Sequence, residues 1–281
     1  MMPAERAPAP TEPAPLALPP AALARLLSRL ERDHGIGARG QGAPGWLTAR
    51  IERVLRRPEL AQALAAGGAE AALDALLSSP LLVTQLADEL RVGETRFYRD
   101  PAQWDALRQW FREATSQATG LSALSAGCSS GEEAWTLAML LEEVAPGSKV
   151  VGVDRSQAAL ALAREARYPT AAAAGLPEAY QRKYLSADAD QVRVAPGLRV
   201  SFVERDLMRG LPAGSWDLIL CKNVLIYFGE EAGRRVATQL IEALRPGGLL
   251  LVARSEVSRL RGLGFETLDI APGVPAFRAP R

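Results

Sequence analysis

Between residues 21 and 91, apolar positions recur every three or four residues in AALARLLSRLER, WLTARIERVLRR, AEAALDALLSS and LLVTQLADEL. That is the period of helices with one buried face, and breaks such as GIGARGQGAPG separate them. The spacing predicts a small all-α domain over 21–91. From about residue 94 helical stretches alternate with short apolar runs, the pattern of a parallel sheet with crossover helices. The strand candidates are LSALSAG (121–127), KVVGVD (149–154), LRVSFVERDL (198–207), SWDLILC (215–221) and GGLLLVAR (247–254), with AFRAP as a last edge strand. Their order predicts an α/β domain over 92–281, a doubly wound, Rossmann-like sheet. One crossover is too long to be plain: QVRV and LRVSFV flank a Pro-Gly turn, which predicts a small β excursion over about 184–202. Residues 1–20 carry APAPTEPAPLALPP, where repeated proline removes backbone donors and predicts a disordered tail.

The stretch LSALSAGCSSGEEAW (121–135) carries the chemistry: an apolar run breaks into Gly and Ser and restarts as a helix opened by two acids. Small residues let the backbone turn tightly at a strand end and let a ligand approach closely. KVVGVD then ends in Asp154, where a carboxylate in an open α/β sheet can bind ribose hydroxyls. The loop lacks G-x-G-x-x-G spacing, and no Lys follows Gly131, so it is neither a dinucleotide fingerprint nor a phosphate loop. Glu132 and Glu133 suit the helix dipole but would repel a phosphate. A cationic nucleoside fits better, and S-adenosylmethionine is the obvious candidate.

The 281 residues are 48% hydrophobic with a net charge of +1, so nothing global points to nucleic acid or a membrane surface. The sole histidine, His34, and two cysteines, Cys128 and Cys221, are too few and scattered for a zinc site or a disulfide framework. A Ser/His/Asp triad would need His34, which lies in RDHGIG at a predicted helix end and reads as a solvated loop histidine. No metal is expected. No run approaches the roughly 18 apolar residues of a membrane helix, and the N-terminus lacks a signal peptide's apolar core. A cytoplasmic protein is expected, with monomer as the default.

In order, GETRFYRD (93–100), LSAGCSSGEEAWTLAM (124–139), VVGVDRS (150–156), RDLM (205–208), WDLILCKNVLIYF (216–228) and LRPGGLLLVARSE (244–256) resemble the CheR-type glutamate methyltransferases of bacterial chemotaxis. The resemblance implies a helical domain joined to a methyltransferase domain, S-adenosylmethionine as donor, and receptor glutamates as acceptors. The products would be a γ-glutamyl methyl ester and S-adenosylhomocysteine. By the same resemblance, Ser125, Ala126, Gly127 and Glu132 match the cofactor loop, and Asp154 the ribose acid. Asp206 and Leu207 match the pair beside adenine, Lys222 and Asn223 the pair after the fourth strand. Thr95 and Arg99 match the cap over the donor, and Tyr227 the tyrosine beside the methyl group. Arg99 and Tyr227 are the expected catalytic residues. The chain departs from the family at Lys222, usually Arg, at Arg254, usually His, and at Asp206, often a small residue or Asn.

A glutamate is ionised near neutral pH and needs no general base to attack a sulfonium methyl, so the lack of a site histidine is no obstacle. Arg50, Arg53 and Arg57 fall at i, i+3 and i+7 and would share a helix face, with Arg56 beside it. The plain reading is a solvated basic face; the family analogy makes it the docking surface for an acidic receptor coiled coil. The excursion lacks the extra loop of members that dock a receptor's C-terminal pentapeptide, so no such tether is expected. Two alternatives stay open: a methyltransferase of this fold with another acceptor, and a non-catalytic donor-binding sensor or scaffold.

Overall fold

The computed structural model describes residues 15–37, 45–90, 95–114 and 120–279, and the predicted tail lies outside the described residues as far as residue 14. They divide into a helical unit up to residue 90 and a larger unit made of 35–37 with the chain beyond 91.

The helical unit contains α1 (Pro20–His34), α2 (Gly45–Leu55), α3 (Ala61–Ser78) and α4 (Pro80–Leu90). The expected stripes are buried: Leu26 and Leu30 of α1, Ile51 and Val54 of α2, Leu73 and Leu76 of α3, Leu86 and Leu90 of α4. Two expectations change. Residues 15–19 are not loose, since Leu16 and Leu18 are half-buried and the Leu16 N–H donates to Glu52 Oε2 at 3.2 Å. Pro58–Ser78 joins a single 3-10 turn to α3, giving 21 helical residues of hydropathy 1.2, long and apolar enough to cross a membrane by length and composition. Alanine supplies much of that apolarity; the run also contains Glu70 and Asp74 and kinks at Gly67–Gly68.

In the larger unit, β1 (Ser122–Ala126), β2 (Lys149–Asp154), β6 (Val200–Glu204), β7 (Trp216–Cys221), β8 (Leu244–Val252), β9 (Glu266–Ala271) and β10 (Val274–Arg278) form one sheet. Its order is β6-β2-β1-β7-β8-β10-β9, with the first five strands parallel and β10 antiparallel to both neighbours. Successive residues enter opposite cores: Ala123, Leu218, Leu220, Leu249 and Leu251 face one, Leu124, Ile219, Cys221, Leu250 and Val252 the other. Burial on both faces is why these strands read as unbroken apolar runs. The first core is covered by α5 (Pro101–Ala114), α6 (Glu132–Val144) and α7 (Gln157–Glu165) through Leu107, Leu137 and Leu160. The second is covered by α9 (Glu230–Glu242) through Val236 and Leu240.

The edge expectation is corrected: Ala276–Arg278 of AFRAP belong to β10, which lies between β8 and β9, so ETLDIA of β9 is the edge on that side. The excursion also differs. A three-stranded sheet of β3 (Arg167–Pro169), β5 (Gln191–Val194) and β4 (Leu185–Asp188) begins before the predicted span, and α8 (Glu178–Tyr184) precedes β4. QVRV pairs with LSAD and RYP, not with VSFVE, which instead pairs with β2 from Val150↔Val200 to Asp154↔Glu204. Tertiary burial decides this: Val192 and Val194 enter a core with Tyr168, Tyr180 and Tyr184, while β6 completes the parallel sheet.

Gly131 caps α6 at φ 95°, and a Cβ there would lie 2.8 Å from Ala163 Cβ and 3.1 Å from Phe202 Cζ. Gly131→Ala therefore combines a left-handed alanine with overpacking of a tight contact, and is expected to destabilise the unit by roughly 2–4 kcal/mol in urea unfolding.

Candidate active site

The chain leaves β1 toward β2 on one side and β7 toward β8 on the other, so the C-terminal ends of β1 and β7 form the switch point of the sheet. Open α/β sheets carry their ligand crevice there. A cavity of about 230 Å³ lies at this point, lined by Thr95, Arg96, Arg99 and Trp104, by Gly127–Ser129 and Glu133, and by Lys222, Asn223, Ile226 and Tyr227.

The loop after β1 is bound to the end of β2. Gly127 N–H and Cys128 N–H both donate to Val153 O, at 2.8 and 2.9 Å, and Ser129 N–H donates to Asp154 Oδ2 at 2.8 Å. The other Asp154 oxygen accepts from Ser156 N–H at 2.9 Å. Gly127 sits at φ 79°, and a Cβ there would meet Val224 Cγ2 at 2.5 Å, so only glycine lets the β1 and β7 loops approach this closely.

Of the two acids opening α6, it is Glu133 that lines the cavity, with Ser125 Oγ donating to its Oε1 at 2.8 Å. Glu132 is buried and accepts from Ser130 Oγ at 2.8 Å, with the Thr95 side chain also bonded to it. Burial raises the pKa of both carboxylates; Lys222 and Ser125 oppose the rise at Glu133.

The segment before α5 is held in an unusual shape. Tyr98 and Asp100 take left-handed φ of 54° and 60°, a strain that persists only under outside restraint. The restraint falls on Arg99, between them, whose carbonyl accepts from Trp104 Nε1 at 2.8 Å and Lys222 Nζ at 3.1 Å. The Lys222 side chain is 4% exposed, 3.6 Å from Asp100 Oδ2 and 5.1 Å from the Trp104 ring centre. Burial pushes its pKa below the ordinary lysine value, and Glu133 and Asp100 pull it back up.

Among the residues singled out from sequence, the cavity brings together Thr95, Arg99, Gly127, Lys222, Asn223 and Tyr227. Ser125 and Ala126 are buried at the end of β1. Asp154 is bonded to the lining loop, while Asp206 and Leu207 follow β6, where Asp206 Oδ1 accepts from Met208 N–H at 2.9 Å. Arg254 points elsewhere and donates to Gly273 O at 2.8 Å. Sequence reasoning did not single out Arg96, Trp104 or Ile226 and gave Glu133 only a dipole role; the doublet GEE signals an acid at the loop, but not which one turns inward.

The arginine face changes in detail. Arg57 lies beyond α2 with extended backbone, φ −69° and ψ 153°, because the following Pro58 disfavours the helical conformation. Arg57 pairs with Glu89, and Arg50 Nη1 donates to the α4 carbonyls of Glu89 and Leu90 at 2.6 and 3.3 Å. Arg53 and Arg56 are exposed.

Residues 93–269 match the family model "CheR methyltransferase, SAM binding domain". Chemotaxis protein methyltransferase 1 of Pseudomonas aeruginosa is 30% identical over 205 residues, covering 67% of this chain and 75% of that protein. The chemotaxis protein methyltransferase of Borreliella burgdorferi is 32% identical over 192 residues, covering 62% and 68%. The probable biofilm formation methyltransferase WspC of Pseudomonas putida is 33% identical over 266 residues, 88% of this chain but 59% of that protein.

Cys128 lines the cavity, yet its thiol is pushed well above the ordinary range, by burial first and then by Asp154 and Glu133; burial does the same at Cys221. Only the thiolate reacts, so both cysteines of the native protein should resist iodoacetamide at about pH 8 and label rapidly in urea, as read by mass spectrometry.

Proposed function

The chain belongs to the CheR methyltransferase family and uses S-adenosylmethionine as its methyl donor, and on that premise we propose that it methylates glutamate side chains of a chemoreceptor-like protein in the cytoplasm. The products of this reading are γ-glutamyl methyl esters and S-adenosylhomocysteine. One observation carries it: the cavity gathers three cationic side chains, Arg96, Arg99 and Lys222, with the Tyr227 ring beside them and a single lining carboxylate, Glu133. Such a set suits two carboxylates, one on the donor and one on the acceptor, and a single ammonium.

The residues present fit the donor. Asn223 Oδ1 is buried without a partner among the described residues, so it can accept from an ammonium beside Glu133. The glycine cradle at Gly127 admits close approach. Asp154 keeps lone pairs beyond its two backbone bonds, enough to take ribose hydroxyls, with Asp206 and Leu207 beyond it for the base. Glu132, Ser125 and Ala126 hold the loop that presents these groups, and Thr95 and Arg99 close over it.

When bound, the donor supplies an electrophilic methyl on a sulfonium. The acceptor carboxylate, ionised with a reference pKa of about 4.3, attacks in line; an O–C bond forms, the S–C bond breaks with its electrons returning to sulfur, and no proton moves. An anion and a cation become two neutral groups, so a dry cavity that orients both accelerates the step. Arg99 holds the incoming carboxylate and Tyr227 places its ring beside the methyl. Arg50, Arg53 and Arg57 contribute to receptor docking, with Arg53 presenting charge to solvent and the other two bracing that surface against α4. The tight turn at Ala189–Asp190 leaves the small sheet without an extended loop, which favours recognition without a pentapeptide tether. WspC matches more of the chain than the chemotaxis relatives do, so the proposal concerns the acceptor's chemistry rather than swimming as such.

Incubation with methyl-labelled S-adenosylmethionine and membranes of the source cell should label a receptor-sized band that releases volatile methanol in mild alkali. Label that survives alkali would place the methyl on nitrogen or another atom and overturn the reading. Within the site, Glu133→Gln is expected to weaken S-adenosylhomocysteine binding about ten- to a hundredfold by calorimetry, the range for losing a charged hydrogen bond, and Glu132→Gln less. Equal losses would remove Glu133 from the ammonium's side.

A further inference from the structure

Glu256 belongs to the LRPGGLLLVARSE motif yet has no part in the donor or acceptor contacts described above. It is 0% exposed, on the 3-10 segment Arg254–Arg259 that follows β8. Its Oε2 accepts from Asn223 N–H at 2.8 Å and Ala253 N–H at 3.0 Å, and its Oε1 accepts from Ile226 N–H at 3.1 Å. One side chain thus satisfies two amides of the turn after β7 and one at the end of β8, and ties the two together.

This turn carries Lys222, Asn223, Ile226 and Tyr227 into the cavity. Asn223 holds a left-handed φ of 60°, which the chain would leave without outside restraint. We propose that Glu256 is a positioning residue of the donor site: its carboxylate fixes the backbone of Asn223–Ile226 and thereby aims Asn223 and its neighbours at the bound donor. Only an ionised carboxylate offers acceptor sites on both oxygens and no hydrogen of its own. A glutamine of the same shape would turn an NH2 group toward at least one of these N–H donors, and an apolar residue would orphan them all.

The inference rests on S-adenosylmethionine use, and its test requires no acceptor, so failure of the receptor-glutamate reading would leave the outcome intact. In the full chain, E256Q is expected to bind S-adenosylhomocysteine at least about tenfold more weakly by calorimetry, the effect of leaving buried donors unpaired. Amide hydrogen exchange should accelerate at Asn223 and Ile226 while β8 and α9 keep their protection. E256D keeps the charge on a stem one methylene shorter and should recover part of the affinity. Unchanged affinity and exchange in E256Q would overturn the proposal, as would accelerated exchange spread evenly over the unit, the mark of a merely structural stabiliser. If E256Q does not fold, wild-type exchange decides: amides at 223 and 226 as slow as those of β7 support the proposal, and rates typical of an exposed loop overturn it.

Discussion

Two parallel strands, β1 and β7, lie side by side at the centre of the sheet while the chain departs from them in opposite directions, and the site depends on that constraint. Crossover helices cannot cover the gap between diverging connections, so a crevice opens at the strand ends. Burial on both faces locks the strands in register, from Ala123↔Leu218 to Ser125↔Leu220, and thereby fixes where each loop begins. The short separation between Gly127 and Val224 follows directly.

Loops that converge in a buried crevice bring peptide groups that no ladder can satisfy. Two carboxylates resolve this on opposite sides of the cavity. Asp154 takes the amides of Ser129 and Ser156 at the end of β2, and Glu256 takes those of Asn223, Ile226 and Ala253 at the end of β8. Asp154 ends, and Glu256 closely follows, the strand neighbouring the loop it holds, so sheet geometry and loop geometry are one problem. The far end of the β7 turn is held again by residues 35–37: Gly37 N–H donates to Tyr227 O at 3.1 Å, and Gly229 N–H to Gly35 O at 2.9 Å. The cations follow the same logic, since Lys222 fastens the strained Arg99 segment as well as charging the cavity.

Much of this was legible along the chain. The inner parallel strands β1, β7 and β8 announced themselves because residues buried on both faces are apolar without interruption, β2 and the edge strand β6 by their short runs VVGV and VSFV, and the loop after β1 by its small residues and paired acids. β9 was not legible: an edge strand needs only one buried face, and Glu266, Thr267 and Asp269 break its apolar pattern. The small sheet was misassigned because a Pro-Gly turn is a local signal, whereas the partner of QVRV is chosen by Val192 and Val194 entering a core of tyrosines. Arg57 left its helical face for an equally local reason, the proline after it.

The sequence by itself determined the class of sheet, the small-residue loop that lines the crevice and the types of side chain available there, because periodicity and residue chemistry act over a few neighbours. Only the tertiary structure decided that Glu133 rather than Glu132 enters the cavity, and that Glu256 reaches 33 residues back to hold the β7 turn. Adjacent acids at a helix start differ only in the direction each side chain points, and the partner of a buried carboxylate is set by which strand ends meet. Both are properties of packing, and no local stretch of sequence contains them.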